Sequence, residues 1–399
     1  MQIFTRILFL HESIARVCIR HCAKKASSSV LDEKLIRSAI RPQIPVRLAS
    51  LFSYLVKNTI HHEPGKFLIL SKPYGVSSLG HKGGNIFKPT RFDRRDENLE
   101  ETIEVDQNRS VTIESAIPLL AQHFREPNLM FCTGLKRYIT GPLIIPANKR
   151  EYEKIFRSHR RFSSIRHRAL VICAGRPISD SGHIQGYATF QKVRDHSEYI
   201  FVKDGVAKPR AKSGQFAVSG SMEYKVLASN YGCSLIDIEF PIFNRHLPRL
   251  MLTELLSPIL GDPIYMQRIV EIDSTPTLIE PKQLYRTKHI KRSFTELEHR
   301  LSLKNSDIYT LLPMYFHVYR TIFPSYEIYF EERQDLVAFS LLPCNIFFTW
   351  IDYKLIKAHM TAMLRCLNFT TATSRHLKSV AEETADMPLN IADETCFTL

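Results

Sequence analysis

Residues 221–240 constrain the fold more tightly than any other stretch of this chain. Met222, Tyr224 and Val226 alternate with Glu223 and Lys225, and Asn230-Tyr231-Gly232 reverses the direction. Ile236, Ile238 and Phe240 then alternate with Asp237 and Glu239. Period-two alternation on both sides of a glycine-containing turn predicts a β-hairpin with one buried face, which needs a larger sheet and a covering layer. Phe67-Leu68-Ile69-Leu70 predicts another strand, closed by the turn Ser71-Lys72-Pro73-Tyr74-Gly75. Helical spacing appears in Ile113, Ile117, Leu120 and Phe124, and again in Leu247, Leu250, Met251 and Leu255, with Pro248 tolerable in a first turn. Strands mixed with few helices, without regular βαβ alternation, predict an α+β domain.

The chain is long enough, at 399 residues and 44% hydrophobic, for a large domain with extensions. We divide it into a basic leader (1–30), a helical linker (31–60), the α+β domain (61–275), a C-terminal extension (276–370) and a tail (371–399). The polar stretch 80–110 reads as a surface loop or insertion. In the extension, Lys282, Arg286, Lys288, Lys291 and Arg292 form a basic run, and Leu311, Leu312, Phe316 and Tyr319 suggest an amphipathic helical appendage. The longest apolar run, Leu336–Ile351, is broken by Pro343 and Asn345 and is too short for a membrane span. The eight cysteines form no C-x-x-C pair, so reduced thiols are expected. His61, His62, His81 and His123 lack ligand spacing, and we assign no metal.

In the first thirty residues Arg6, Arg16, Arg20, Lys24 and Lys25 face only Glu12, among apolar residues and ahead of Ser27-Ser28-Ser29. This is the pattern of a mitochondrial transit peptide, and the matrix is the expected location. The whole chain carries 54 Lys and Arg against 40 Asp and Glu, a net charge of +14, which favours a polyanionic partner such as RNA. The surplus concentrates between 149 and 168. There Lys149, Arg150, Lys154, Arg157, Arg160, Arg161, Arg166 and Arg168 face only Glu151 and Glu153, with Tyr152, Phe156 and Phe162 interleaved. Cations with aromatics suit phosphate neutralisation and base stacking. The alternative is an amphipathic helix whose Phe156 and Phe162 belong to the core. The run from Lys203 to Lys212 reads equally well as a loop.

Several segments, in order, resemble RluA-type pseudouridine synthases. Phe67–Gly75 is similar to that family's opening strand and N-K-P-x-G turn, and Gly175-Arg176-Pro177 with Gly182-His183-Ile184 to its G-x-P…G-x-I turn. The hairpin at 221–240 and the helix after it take the places of the E-Y-x-V-L strands and the R-T-H-Q-I-R helix. Ser257-Pro258-Ile259-Leu260-Gly261-Asp262-Pro263-Ile264-Tyr265 resembles the H-P-I-L-G-D-x-x-Y segment. The resemblance covers about 62–270. It extends to the divergent mitochondrial branch associated with messenger RNA, through the basic run and the His299–Pro313 stretch. It implies a mixed, mainly antiparallel sheet with flanking helices and a central cleft, plus a helical C-terminal extension. No cofactor is implied, and the substrate would be a uridine flipped from its stack.

The resemblance also implies an aspartate nucleophile in an H-R-L-D-x-x-T-[TS]-G motif. Here the matching segment is Thr133-Gly134-Leu135-Lys136-Arg137-Tyr138-Ile139-Thr140-Gly141, with Lys136 at the aspartate position and Gly134 at the arginine. No Asp or Glu lies between Pro127 and Arg150. The family's tyrosine falls near Ala169; in the R-T-H-Q-I-R segment Asn244 replaces the first arginine, while His246 and Arg249 are retained. A lysine ammonium has no lone pair with which to attack, so no catalytic residue is assigned. Asp180 and Asp237 are the carboxylates that could stand in. Lys72 and Tyr74 read as structural, and Asp262 as a turn-orienting residue. The expected RNA-binding set is Lys136, Arg157, Arg160, Arg161, Arg166, Arg168 and Arg249. Three functions follow: an RNA-binding protein on mitochondrial messenger or ribosomal RNA with impaired catalysis, an active isomerase with a relocated carboxylate, or a structural ribonucleoprotein subunit with a filled cleft. Ribosome-assembly proteins are the partners expected for the first.

Overall fold

The computed structural model describes residues 42, 44–78, 111–160, 166–193, 196–204, 217–241, 243–284, 291–301, 303–329 and 332–339. The expectations for the leader, the 80–110 loop, most of the Lys203–Lys212 run and the tail lie outside these residues. In chain order the elements are α1 (Leu48–Lys57), β1 (Thr59–Glu63), β2 (Phe67–Lys72), α2 (Ile113–Phe124), β3 (Gly141–Pro146), α3 (Lys149–Arg160), β4 (Arg166–Ala174) and β5 (Ser181–Val193). They continue with β6 (His196–Lys203), β7 (Val218–Asn230), β8 (Cys233–Phe240), α4 (Leu247–Glu254), β9 (Ile269–Ile272) and β10 (Thr275–Leu278). The last are α5 (Thr295–Leu301), α6 (Asn305–Leu311), β11 (Phe316–Tyr329) and β12 (Glu332–Phe339).

The hairpin forms as its pattern dictates. β7 and β8 pair antiparallel up to Asn230↔Cys233. Tyr231 and Gly232 both take positive φ, 52° and 72°, the conformation that matches the twist of a two-residue hairpin. Met222, Tyr224, Ile236, Ile238 and Phe240 are buried on one face. Around this hairpin a seven-stranded sheet assembles in the order β12-β11-β4-β8-β7-β5-β6. A second sheet, β1-β2-β3, lies apart from it in the pairing, and β9-β10 forms a small ribbon. Every pairing between these strands is antiparallel. This is the α+β architecture with a mainly antiparallel sheet.

The main core lies between the buried face of the large sheet, α4, and the inner side of β2 with α1 and α2. It includes Ala169, Val171, Ile236, Ile238, Leu250, Met251, Leu68, Leu70, Leu51, Leu55 and Leu120. The alternate residues of β2, Phe67 and Ile69, enter a second cluster with Ile144, Ile155, Phe323 and Tyr326 beneath α3. β2 is therefore covered on both faces, which explains its unbroken Phe-Leu-Ile-Leu run. Each large aliphatic side chain buried this way contributes about 1.5–3 kcal/mol.

One region differs from expectation. Residues 295–301 and 305–311 are helical, but the helix ends before Pro313, and Phe316 and Tyr319 belong to a strand. β11 pairs with β4 on one side and β12 on the other, inside the main sheet. The spacing of Leu311, Leu312, Phe316 and Tyr319 fits a helix, yet residues 316–323 are rich in β-branched and aromatic side chains and gain cross-strand partners in β4. Tertiary pairing overrides the local pattern.

Candidate functional site

The segment at the family's nucleophile position, 133–140, is a loop leading into β3. Buried hydrogen bonds fix it to the Lys72–Ser78 turn. The Lys72 side chain is fully buried, and its Nζ donates to the carbonyls of Pro73 (3.1 Å), Arg137 (2.9 Å) and Ile139 (3.0 Å). Ser78 Oγ donates to the Leu135 carbonyl at 2.7 Å, and Arg137 Nε to the Gly75 carbonyl at 3.0 Å. The turn lysine and serine thus satisfy the carbonyls of Pro73, Ile139 and Leu135 and add a second donor to that of Arg137, which also accepts the Gly75 N–H. The structural reading of Lys72 and Tyr74 agrees with this geometry; Tyr74 Oη accepts the Met314 N–H at 3.1 Å.

The downstream end of the loop is held by β11. Thr140 N–H donates to the Phe316 carbonyl, Val318 N–H to the Thr140 carbonyl at 2.8 Å, and Thr140 Oγ1 lies 2.8 Å from His317 Nδ1. Gly141, at φ 151°, passes so close to β11 that a Cβ would lie 2.5 Å from the Val318 carbonyl oxygen. Only glycine fits there, which accounts for the retained glycine at the motif's end. At Gly134 a Cβ would lie 2.6 Å from Ser78 Cβ and 2.9 Å from Phe131 Cζ. The backbone therefore has no room for an arginine at that position unless Ser78 moves.

Lys136 is 9% exposed, Arg249 3%, and Ala169 is fully buried. Arg249 was expected to face a nucleotide. In the structure it forms a two-point ion pair with Asp262, Nε to Oδ2 at 2.8 Å and Nη2 to Oδ1 at 2.9 Å, over the Tyr265 ring. Asp262 also accepts the N–H groups of Ile264 and Tyr265, both at 2.9 Å, and so orients the turn as its sequence context suggested. Sequence reasoning missed the neighbours of this pair. Arg245 and Arg268 are both buried, with Arg245 over the Phe190 ring and Arg268 donating to the Ile279 carbonyl. Arg245 and His246 have φ of 53° and 58°, an unfavourable backbone for non-glycine residues, and His246 Nδ1 meets Tyr265 Oη at 2.9 Å. The signal in the chain that could have found them is the retained His246, which Arg245 precedes directly.

The alternative carboxylates are both engaged. Asp180 pairs with Arg176 on an exposed turn. Asp237 is held by Arg168 and by Tyr319 Oη at 3.1 Å on the sheet face away from the main core. Burial pushes the Asp237 carboxyl above its ordinary pKa, against the opposing pull of Arg168 and the Tyr319 hydroxyl. Arg168, expected to contact RNA, therefore balances Asp237 and reaches Glu239 at 3.6 Å. Thiol chemistry is equally disfavoured: burial pushes Cys132 and Cys233 up to about 12 and raises Cys173 well above the usual value. Among the described residues no cluster of three His, Cys, Asp or Glu suits a metal, and no helix is long and apolar enough to cross a membrane.

The rest of the expected set lies on or after α3. Arg157 is exposed on α3, with its Nε donating to the Glu153 carbonyl at 3.2 Å; Arg160 is the helix's last residue and Arg166 the first of β4. Arg161 and Phe162 fall outside the described residues. Asn148 caps α3, its Oδ1 accepting the Glu151 N–H at 3.0 Å. The buried Glu151 ties the helix to β11 through Tyr326 Oη and is paired with Lys154 Nζ at 2.9 Å.

No family model matches the chain, and no curated protein does. Solved structures that resemble it include two human proteins. Human RNA pseudouridylate synthase domain containing 4 matches with a TM-score of 0.50 and 18% identity, covering 76% of this chain and 95% of that one. Human RNA pseudouridylate synthase domain containing 1 matches with a TM-score of 0.42 and 14% identity, covering 76% of this chain and 94% of that one. The antiparallel sheets, the few flanking helices and the first of these matches lead to one conclusion: this chain has the pseudouridine synthase fold.

Proposed function

We propose that this chain binds RNA on a pseudouridine synthase scaffold and does not isomerise uridine through an aspartate nucleophile. The observation that carries the reading is the loop at 133–141. Its nucleophile position reads as Lys136 and its arginine position as a glycine packed against Ser78, and Ala169, near which the tyrosine position falls, is core. Pseudouridine formation needs a carboxylate to displace the base from its sugar, and a lysine ammonium reverses the charge on which that step depends. Loss of a covalent nucleophile removes nearly all of a rate enhancement. A carboxylate recruited from Asp180 or Asp237 has little support, since each already balances an arginine.

The excess of 14 positive charges supports a polyanionic partner, and the basic, acid-poor residues 1–30 support import into mitochondria, where messenger or ribosomal RNA would be the ligand. The burial of Lys136, Arg249 and Ala169 favours a second reading, a structural subunit of a ribonucleoprotein. The two readings separate on whether the purified protein binds RNA by itself.

The test is a map of pseudouridines in mitochondrial RNA with and without the protein, alongside purified wild type and Lys136→Asp on the same RNA. Unchanged sites in the map and no product from either protein are expected. Sites that vanish with the protein and return with wild type but not with an inactive mutant would establish an isomerase. Fusing residues 1–30 to a reporter tests the address: the fusion is expected in mitochondria, and cytosolic signal refutes import.

A further inference from the structure

The apolar stripe of α1 runs off the edge of the core. Leu48, Leu51 and Leu55 fall on one side of the helix, at i, i+3 and i+7. Leu51 and Leu55 are fully buried, whereas Leu48, one turn earlier, is 36% exposed. The residues leading into the helix continue the pattern, with Val46 54% exposed and Ile44 41%. Successive members of this trio are two residues apart, so their Cα atoms lie within about 7 Å and make one patch. A single exposed aliphatic side chain is ordinary on a protein surface. Here three of the five large apolar residues exposed among the described residues fall within positions 44–48. The patch is fixed in place. Ile44 packs so closely on Gly75 that a Cβ there would lie 2.6 Å from Ile44 Cδ1. Arg47 N–H donates to Ser50 Oγ at 3.2 Å and Ser50 Oγ to the Arg47 carbonyl at 2.7 Å, which sets the start of α1.

Along the chain the charge around this patch is all of one sign. From Lys34 to His62 there is no Asp or Glu, and the stretch carries Lys34, Arg37, Arg41, Arg47 and Lys57. Arg47 is exposed between Val46 and Leu48. Arg137, whose Nε donates to the Gly75 carbonyl, brings a further cation to the turn on which Ile44 packs. Aliphatic side chains set among cations complement an anionic bilayer, whose headgroup boundary takes the one and whose phosphates take the other. An RNA backbone would answer the cations and leave the aliphatic side chains without a partner, and a second copy of the chain would set cation against cation. We propose that residues 44–48 dock the protein on an anionic lipid surface without spanning it. Ile44, Val46 and Leu48 enter the headgroup boundary, and Arg47 meets the lipid phosphates. This docking goes beyond RNA binding and does not depend on it.

The experiment measures binding of the full chain to vesicles of equal parts phosphatidylglycerol and phosphatidylcholine, and to vesicles of phosphatidylcholine alone. Tighter binding to the anionic vesicles is expected. Val46→Glu is expected to weaken it about tenfold, through the lost side chain and the repelled charge, and Arg47→Ala about fivefold. Ile178→Ser removes a 98% exposed apolar side chain from the turn before β5 and is expected to bind like wild type. The basic residues 1–30 can adsorb to anionic lipid by themselves, so the decisive reading is a local one. With the emission of the native Trp350 subtracted, Val46→Trp is expected to shift to the blue on vesicles and to be quenched by brominated lipid, and Ile178→Trp is not. Wild type that ignores anionic vesicles, equal losses for Val46→Glu and Ile178→Ser, or Val46→Trp emission that vesicles leave unchanged overturns the docking. So does Val46→Glu that loses affinity for an oligouridylate while keeping its vesicle binding, since the patch would then belong to RNA. Vesicle binding without any RNA binding sinks the RNA reading above and leaves the docking intact.

Discussion

The cations of the interior and those of α3 are indistinguishable by composition and opposite in their surroundings. Lys72 spends all three of its protons on backbone carbonyls, and Arg249 faces Asp262 across two hydrogen bonds with both side chains buried. Lys149, Arg150 and Arg157 stand in solvent on one helix face. A net charge counts these residues alike. Their physical roles differ, because a buried cation must be satisfied by protein groups, whereas an exposed one remains available to a phosphate. The interior set holds the 133–141 loop and the turn at Asp262 in place, and the outer set is where charge can act on a partner.

The largest effect is expected at Arg249. Arg249→Ala leaves the Asp262 carboxylate buried without its guanidinium, and a loss of about 3–5 kcal/mol in unfolding free energy is expected by urea denaturation. A variant as stable as wild type would mean that Asp262 is satisfied without Arg249.

Lys72→Met comes next. It strands the carbonyls of Pro73 and Ile139 and leaves that of Arg137 with the Gly75 N–H alone, and about 3 kcal/mol of stability is expected to go with the charge-assisted bonds. RNA affinity per folded molecule is expected to stay at the wild-type level, which separates a structural cation from a binding one.

Replacing Arg157, Arg160 and Arg161 together with Ala has the reverse signature. Stability is expected to change by less than about 0.5 kcal/mol for Arg157, which is exposed. RNA affinity is expected to fall for all sequences and the salt slope to flatten, because phosphate contacts position without reading bases. Equal affinity and slope in the triple mutant would leave the helix a solvated face.

The smallest effect concerns Asp237. Burial raises its pKa, so the folded state holds the proton more tightly than the unfolded chain, whose value is near 3.8. Protonation therefore favours folding; the contribution is complete below the unfolded value and is lost as pH rises through the higher folded one. Wild type is expected to gain stability relative to Asp237→Asn as the pH is lowered toward 3.8, followed by denaturation at several pH values. A difference independent of pH would show that Arg168 cancels burial, and a loss of stability toward low pH that it outweighs it.

Much of the fold was legible without coordinates. The hairpin could be read because period-two alternation and a turn containing Gly232 are local features, and α2 and α4 because an apolar stripe at helical spacing is local too. Pro313 marked the end of a helix, but what followed could not be read locally. Whether 316–329 forms a helix or a strand depends on β4, whose partner residues lie about 150 positions earlier. At the site, the reading of Lys136 at the aspartate position, Gly134 at the arginine position and the tyrosine position near Ala169 comes from the resemblance in the sequence alone. Only the tertiary structure decided which charges are spent inside. Asp262 was read as a turn residue and Arg249 as a pocket residue, and the fold brings them together as one buried pair. The division is physical: secondary-structure periodicity is written between near neighbours, whereas the pairing of a buried charge is an agreement between segments that meet only when the chain has folded.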